Sequence, residues 1–216
     1  MISSDTHIVF DLDDTLYKEV DFVKSAYIFI NDFLKKRVHL DLSLDIERCI
    51  NEKINFFDFI NLKLSPKKKL SIEKFLELYR FHYPQISLHK DSKNFIKKLI
   101  KRNIKFSILT DGRSISQRNK IHSLGLFDLA ENIIISEETG FEKPEKYNFK
   151  LIENLYENKN FIYVGDNPNK DFIAPNALNW GTFCLLDNGQ NIHKQKFNLE
   201  DRFMPKKRIY NLNELL

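Results

Sequence analysis

His7-Ile8-Val9-Phe10-Asp11-Leu12-Asp13-Asp14-Thr15-Leu16 is the stretch that decides the fold. Branched and aromatic residues pass directly into carboxylates, as in a strand buried on both faces of a parallel sheet and ending in polar groups. Further along the chain, short apolar runs of the same kind occupy 104–110 (IKFSILT), 132–136 (NIIIS), 161–164 (FIYV) and 182–186 (TFCLL). Helix-like stretches stand between them, over 92–101, 116–124, 147–158 and 172–179. A last short strand over 208–210 and a terminal turn of helix over 213–216 are expected to close the sheet's edge. Strands alternating with helices predict an α/β fold: a Rossmann-like three-layer core around a mostly parallel sheet.

The alternation fails between positions 17 and 88. Three helices are expected there, over 21–37, 44–62 and 71–82. The first carries an apolar stripe of Phe22, Ala26, Phe29, Ile30, Phe33 and Leu34 at helical spacing. No strand-like run interrupts them, so the expected organisation is a core of 1–16 and 89–216 with a small all-helical domain, 17–88, inserted after the first strand. The position of the insertion follows from spacing. A hundred positions separate Asp11 from Asp111, far more than one crossover needs, whereas the 32 between Asp111 and Lys143 hold only a helix, a strand and short loops.

With 216 residues, the chain can bury a core without covalent staples. Two cysteines, Cys49 and Cys184, exclude a disulfide framework. No apolar run approaches the ~18 residues that a transmembrane helix needs, and the start of the chain has neither a basic nor an apolar leader segment. A cytoplasmic location without membrane attachment is therefore expected. A net charge of +4, spread along the chain, gives no nucleic-acid footprint, and none is expected as a partner.

In a parallel sheet, ligands bind outside the carboxyl ends of the strands. There the sequence places Asp11, Asp13 and Asp14 after the first strand, and Thr110, Asp111, Gly112 and Arg113 after the second. Lys143-Pro144 follows the third after a few residues, and Gly165 to Asp171 follow the fourth. Carboxylates from several loops on one rim repel each other unless a hard cation sits among them, and oxygen ligands select Mg²⁺. A hydroxyl, a lysine and the N–H groups of a turn are what the remaining oxygens of a phosphoryl group require. Asp14 is read as a turn residue.

These residues resemble the four signatures of the haloacid dehalogenase-like hydrolase superfamily. Asp11-Leu12-Asp13-Asp14-Thr15 matches the first in its D-x-D-x-T form, Thr110 with Asp111-Gly112 the second, Lys143-Pro144 the third, and Gly165-Asp166 through Asp171 the fourth. The resemblance implies that Asp11 is a nucleophile forming an aspartyl-phosphate. It implies that Asp13 protonates the leaving alcohol and then activates water. Thr110, Asp111 and Lys143 would bind the phosphoryl group, and Asp11, Asp13 (through its carbonyl) and Asp166 would hold Mg²⁺. Asp171 would support that site as a ligand or from behind it. The second aspartate, Asp13, favours phosphate esters over carbon–halogen bonds, because a halide needs no acid to leave.

The insertion resembles the helical cap of one branch of the superfamily, which restricts leaving groups to small molecules. The function implied is an Mg²⁺-dependent phosphomonoesterase acting on a small-molecule phosphate ester, a sugar phosphate favoured. A nucleoside 5'-monophosphate phosphatase, a phosphomutase and a catalytically silent binding subunit are the alternatives. Tyr17, Lys18, Lys24 and Tyr27 are the expected cap contacts to substrate. The chain is expected to act as a monomer or a weak homodimer.

Overall fold

A computed structural model describes residues 2–3, 5–156 and 159–216. Six strands form one sheet: β1 (Thr6–Phe10), β2 (Phe106–Thr110), β3 (Asn132–Ile135), β4 (Asn160–Gly165), β5 (Gly181–Leu185) and β6 (Lys207–Ile209). Their order is β3-β2-β1-β4-β5-β6, and every neighbouring pair runs parallel. The helices are α1 (Glu19–Val38), α2 (Ile46–Asn51), α3 (Phe56–Lys63), α4 (Ile72–Phe81), α5 (Lys90–Lys101), α6 (Ser114–Ser123), α7 (Ser136–Thr139), α8 (Tyr147–Leu155) and α9 (Ile173–Ala177).

The three layers follow from the alternation of side chains along β1. Ile8 and Phe10 join Phe95, Ile96 and Leu99 of α5 and Ile121 of α6 in one buried cluster. Val9 points the other way, into a cluster with Phe149 and Ile152 of α8, Ala174 of α9, Tyr163 and Trp180. Each of the valine, leucine, isoleucine and phenylalanine side chains among these, fully buried, contributes roughly 1.5–3 kcal/mol to stability. The chain winds from β1 outward to β3, then returns to β4 on the other side of β1, so the reversal falls between β1 and β4. A crevice opens at the carboxyl ends of the strands at such a reversal, and the Asp11 N–H donating to Val164 O at 2.9 Å keeps the two strands paired up to its floor.

A third cluster has no strand in it: Ile30 and Leu34 of α1, Leu42 of the segment that follows, Ile46 and Cys49 of α2, Phe56 and Ile60 of α3, and Phe75 and Leu78 of α4. These helices make the cap. Phe22, near the start of α1, belongs instead to the core cluster, so one helix spans both units.

Two expectations for this region are corrected. The single helix expected over 44–62 is two helices, because Lys53 takes a left-handed φ of 55° and Asn55 caps α3 by accepting from the Phe57 and Asp58 N–H groups. Phe29, placed in the buried stripe by its spacing, is 43% exposed: the stripe turns with the helix as α1 leaves the core. The helix expected over 172–179 is likewise shorter, ending as Asn179 turns left-handed at φ 61°. Of the helix expected over 147–158, positions 157 and 158 lie outside the described residues, as do positions 1 and 4 of the segment 1–16.

Candidate active site

Asp11 is the first residue beyond β1 and Asp166 the first beyond β4, so the crevice at the strand reversal presents two carboxylates side by side. Asp171 joins them from the loop before α9; ligand oxygens of all three lie within 4.8 Å of one another, and all three residues are buried. Gly165 makes this approach possible, since a Cβ there would stand 2.5 Å from Asp171 Oδ2.

The Lys143 ammonium bonds directly to this cluster. Lys143 Nζ lies 2.8 Å from Asp11 Oδ1 and 2.8 Å from Asp171 Oδ1, and donates to the Tyr163 hydroxyl at 3.0 Å. Its three protons are thereby assigned. Tyr163 in turn donates to Asp171 Oδ1 at 3.2 Å, and the Asn167 N–H donates to Asp171 Oδ2 at 2.8 Å.

The electrostatics divide the three carboxylates. Burial would raise Asp171, but Lys143, Lys170 and the Asn167 N–H hold it below the usual range. Burial would likewise lower Lys143, but Asp11 and Asp171 keep it charged. These two groups satisfy each other. Burial pushes Asp11 up to about 6 against the pull of Lys143. Asp166 is pushed up to about 9 by burial and then by the charges of Asp171 and Asp11. Two buried oxygen donors without a full counter-charge suit a hard divalent cation. The cluster is compatible with Mg²⁺, with Asp11 and Asp166 the groups whose charge it would neutralise.

Thr110 ends β2 and is 1% exposed. The carboxylate of Asp111 accepts from the Lys143 N–H at 3.1 Å and from Lys170 Nζ at 2.9 Å. It therefore fastens the loop that carries Lys143, and like charge disfavours its carboxylate as a phosphate contact. The Gly112 N–H donates to Ser136 Oγ at 3.0 Å.

Asp13 turns its carboxylate away from this cluster, toward α6. Oδ1 accepts from the Tyr17 hydroxyl and from Lys120 Nζ at 2.8 Å; Oδ2 accepts from Gln117 Nε2 at 2.8 Å and from Lys120 Nζ at 3.0 Å. Burial would raise Asp13, yet Lys120 and these hydrogen bonds hold it below the usual carboxylate range. Glu19, the first residue of α1, is pushed up to about 7 by burial and by the Asp13 charge, against the pull of Lys120. Asp14 adopts a left-handed φ of 55°, and its carboxylate ties two segments together. Oδ1 accepts from the Glu19 N–H at 3.0 Å and Oδ2 from the Ile192 N–H at 2.9 Å.

The four residues expected to touch substrate from the cap take different positions. Tyr17 is 1% exposed and braces Asp13. Lys18 is buried and donates to Asn191 Oδ1. Lys24 pairs with Glu47, and the Tyr27 ring stacks on Phe56 with centroids 4.3 Å apart. Lys24 and Tyr27 line a cavity of about 1030 Å³ between α1, the other cap helices and the loop 189–192. Asn191 lines it too and donates to Asp166 Oδ2 at 2.8 Å, so cavity and acidic cluster share a wall.

Lys120, Gln117, Tyr163, Lys170 and Asn191 are given no role in the sequence reading, although Lys170 lies within the run Gly165 to Asp171 that follows the fourth strand. Gln117 and Lys120 had a usable signal: they sit three apart, hence on one face, of the helix that follows the second strand-end loop. Tyr163 had a weaker one, as a polar tip inside a buried strand. Asn191 had none.

Comparison with known proteins agrees with this geometry. The chain is similar to the glyceraldehyde 3-phosphate phosphatase of Methanocaldococcus jannaschii, 29% identical over 196 residues that cover 83% of this chain and 84% of that one. Among solved structures it is similar to the HAD-hydrolase YfnB from Bacillus subtilis bound to magnesium (TM-score 0.63, 20% identity, 97% of this chain and 96% of that one). It is also similar to a HAD phosphatase from Thermococcus onnurineus (TM-score 0.61, 23% identity, 97% and 95%). A family model described as haloacid dehalogenase-like hydrolase matches residues 6–179, from the start of β1 past the acidic loop after β4 to two residues before β5. With the sheet, the cap and the strand-end carboxylates as described, that match makes the chain a member of the haloacid dehalogenase-like hydrolases.

Proposed function

We propose that this hydrolase is an Mg²⁺-dependent phosphomonoesterase that forms an aspartyl-phosphate on Asp11 and acts on a small sugar phosphate. The observation that carries the proposal is Lys143 wedged between Asp11 and Asp171, leaving Asp11 and Asp166 short of positive charge. A dianionic phosphate can approach Asp11 only where charge is compensated, and the bound cation supplies that compensation as a Lewis acid.

In this mechanism Lys143, Thr110 and the main chain at Asp111 hold the phosphoryl oxygens so that Asp11 stands in line with the leaving oxygen. An Asp11 oxygen bonds to phosphorus as the bond to the leaving oxygen breaks, and that oxygen takes its proton from Asp13. Asp13 then removes a proton from the water that attacks phosphorus, and Asp11 is released with inorganic phosphate. General acid–base assistance of this kind is worth about 10²–10⁴ in rate. Residues 17–88 serve as the cap, excluding bulk water and contacting the leaving group through the cavity that Lys24 and Tyr27 line. A triose phosphate is the first substrate to try, since the methanogen relative is named for glyceraldehyde 3-phosphate.

The test is turnover of a panel of triose, hexose, nucleoside and short-acid phosphates by the full chain, with Mg²⁺ and with EDTA, against an Asp11→Asn control. EDTA-sensitive release of phosphate, fastest with the sugar phosphates and absent in the control, is expected. Preference for nucleoside 5'-monophosphates would replace the substrate class, transfer of phosphate to a second sugar would make the chain a mutase, and no turnover above the control would refute the enzymatic reading.

A further inference from the structure

The Asp13 carboxylate has no room for the proton that its role requires. A carboxylate offers about four lone-pair sites, and here four donor contacts fill them: the Tyr17 hydroxyl and Lys120 Nζ on Oδ1, Gln117 Nε2 and Lys120 Nζ on Oδ2. The donors are not equivalent. Gln117 Nε2 is also fixed to Asp111 O at 2.8 Å, and Tyr17 is packed in the core at 1% exposure. Lys120 alone touches both oxygens, and it alone brings charge. Its ammonium, on a residue 4% exposed, also lies 4.3 Å from the ring centroid of Phe22 on α1. An ammonium over an aromatic face is attracted by the ring quadrupole, so the helix that leads into the cap helps to set where this lysine sits.

We propose that Lys120 is the positioning residue for Asp13: it holds the carboxylate against Tyr17 and Gln117, yields one lone-pair site when a proton is exchanged, and is itself seated against Phe22 of the cap's first helix. The proposal rests on the reading of Asp13 as the proton-transfer group. Lys120 reaches α1 and the β1 strand-end loop from α6, so cap and acid are connected through one side chain. When a proton enters Oδ1 or Oδ2, the Lys120 proton on that oxygen withdraws while the other contact and the Phe22 face retain the ammonium. No bond to Lys120 is made or broken. A role confined to packing would lower stability and affect all substrates alike. A role in positioning the acid affects most the substrates that need the acid.

The experiment compares Lys120→Met and Lys120→Gln with the parent enzyme on an alkyl phosphate and on an activated aryl phosphate, each alone and combined with Asp13→Asn. Expected is a loss in kcat of about 10²-fold on the alkyl ester, of the size of general acid–base assistance, and under about tenfold on the aryl ester, with KM little changed. In the Asp13→Asn background the Lys120 substitution should cost nothing further, since residues that act as a unit are not additive. Equal losses on both esters, or a full additional loss in the Asp13→Asn background, would overturn the proposal. Lys120→Gln keeps a neutral amide NH₂ as donor without the charge, so it serves if the methionine variant does not fold. Crystal structures of parent and variant give a readout that does not depend on turnover: the Asp13 carboxylate should leave Gln117 and Tyr17 in the variant, and an unmoved carboxylate would defeat the positioning claim. A parent enzyme that hydrolyses neither ester would instead refute the phosphatase reading, with the crystallographic arm still deciding the contact.

Discussion

Lys143→Met removes the ammonium that bonds both Asp11 and Asp171 in a crevice that holds three buried carboxylates. The side chains of Lys143 and Asp171 are 0% exposed and that of Asp11 is 7% exposed, so water cannot take over the lost contacts. Removing one partner of a buried ion pair costs about 3–5 kcal/mol because the other charge stays behind without compensation. Two carboxylates are orphaned here, which places the expected loss toward the upper end, about 4–5 kcal/mol, in urea unfolding followed by far-UV circular dichroism with EDTA near neutral pH. Two further observations separate this cause from generic damage. Millimolar Mg²⁺ should stabilise the variant more than the parent, because its crevice is more negative. Adding Asp171→Asn to Lys143→Met should recover a substantial part of the stability, because one unbalanced charge is removed with the lysine. Neither change should restore activity if Lys143 holds the phosphoryl oxygens as proposed, where one lost donor typically costs about 10²–10³ in kcat. A Lys143→Met protein within about 1 kcal/mol of the parent in EDTA, below any loss reported for a broken buried pair, would refute the reasoning.

Gly165→Ala would drive a Cβ to 2.5 Å from Asp171 Oδ2, and Asp171 is pinned by Lys143 and the Asn167 N–H. A loss of about 1–3 kcal/mol from overpacking is expected, with a fall in kcat/KM that exceeds what the stability loss explains; steady-state kinetics beside urea unfolding checks it. His7 is buried, bonded to Ser107 Oγ at 2.8 Å, and lowered by burial to about 4 from 6.5. The unfolded chain therefore binds the extra proton across that window, so His7's contribution is full above pH 6.5 and falls as pH drops toward 4, at up to about 1.4 kcal/mol per pH unit. His7→Gln should flatten the acid limb of the stability curve between those values, and an unchanged limb would show that His7 is not its source.

The sheet and its acidic rim were legible because both are written locally. Ile8, Val9 and Phe10 are apolar on consecutive positions only because both faces of β1 are covered, and the polar residues begin where the strand ends. The cap was legible as helices but not in its breaks. Lys53 and Asn55 read equally well as the polar face of a longer helix, and only a left-handed turn and a side-chain cap distinguish them. α7, a single turn at Ser136–Thr139, is too short to show a period. Residues around the site that act through space were the hardest. Lys120 looks like any surface lysine of α6 until Asp13 and Phe22 are seen to close over it, and Asn191 reaches Asp166 from a loop after β5 that carries no motif. Tyr17 and Tyr27 share a similar expectation from sequence, yet one braces Asp13 and the other stacks on Phe56, a difference set wholly by tertiary packing.

The covalent step on Asp11 is the centre of the account, and it can be read directly. Enzyme turning over a phosphate ester is quenched in acid, the acyl phosphate is reduced with borohydride, and the protein is digested and sequenced by mass spectrometry. Reduction converts an aspartyl-phosphate to homoserine at the residue that carried it. The account predicts homoserine at position 11, dependent on substrate and absent from Asp11→Asn. Homoserine at another aspartate, or a phosphorylated histidine or serine in its place, would contradict it.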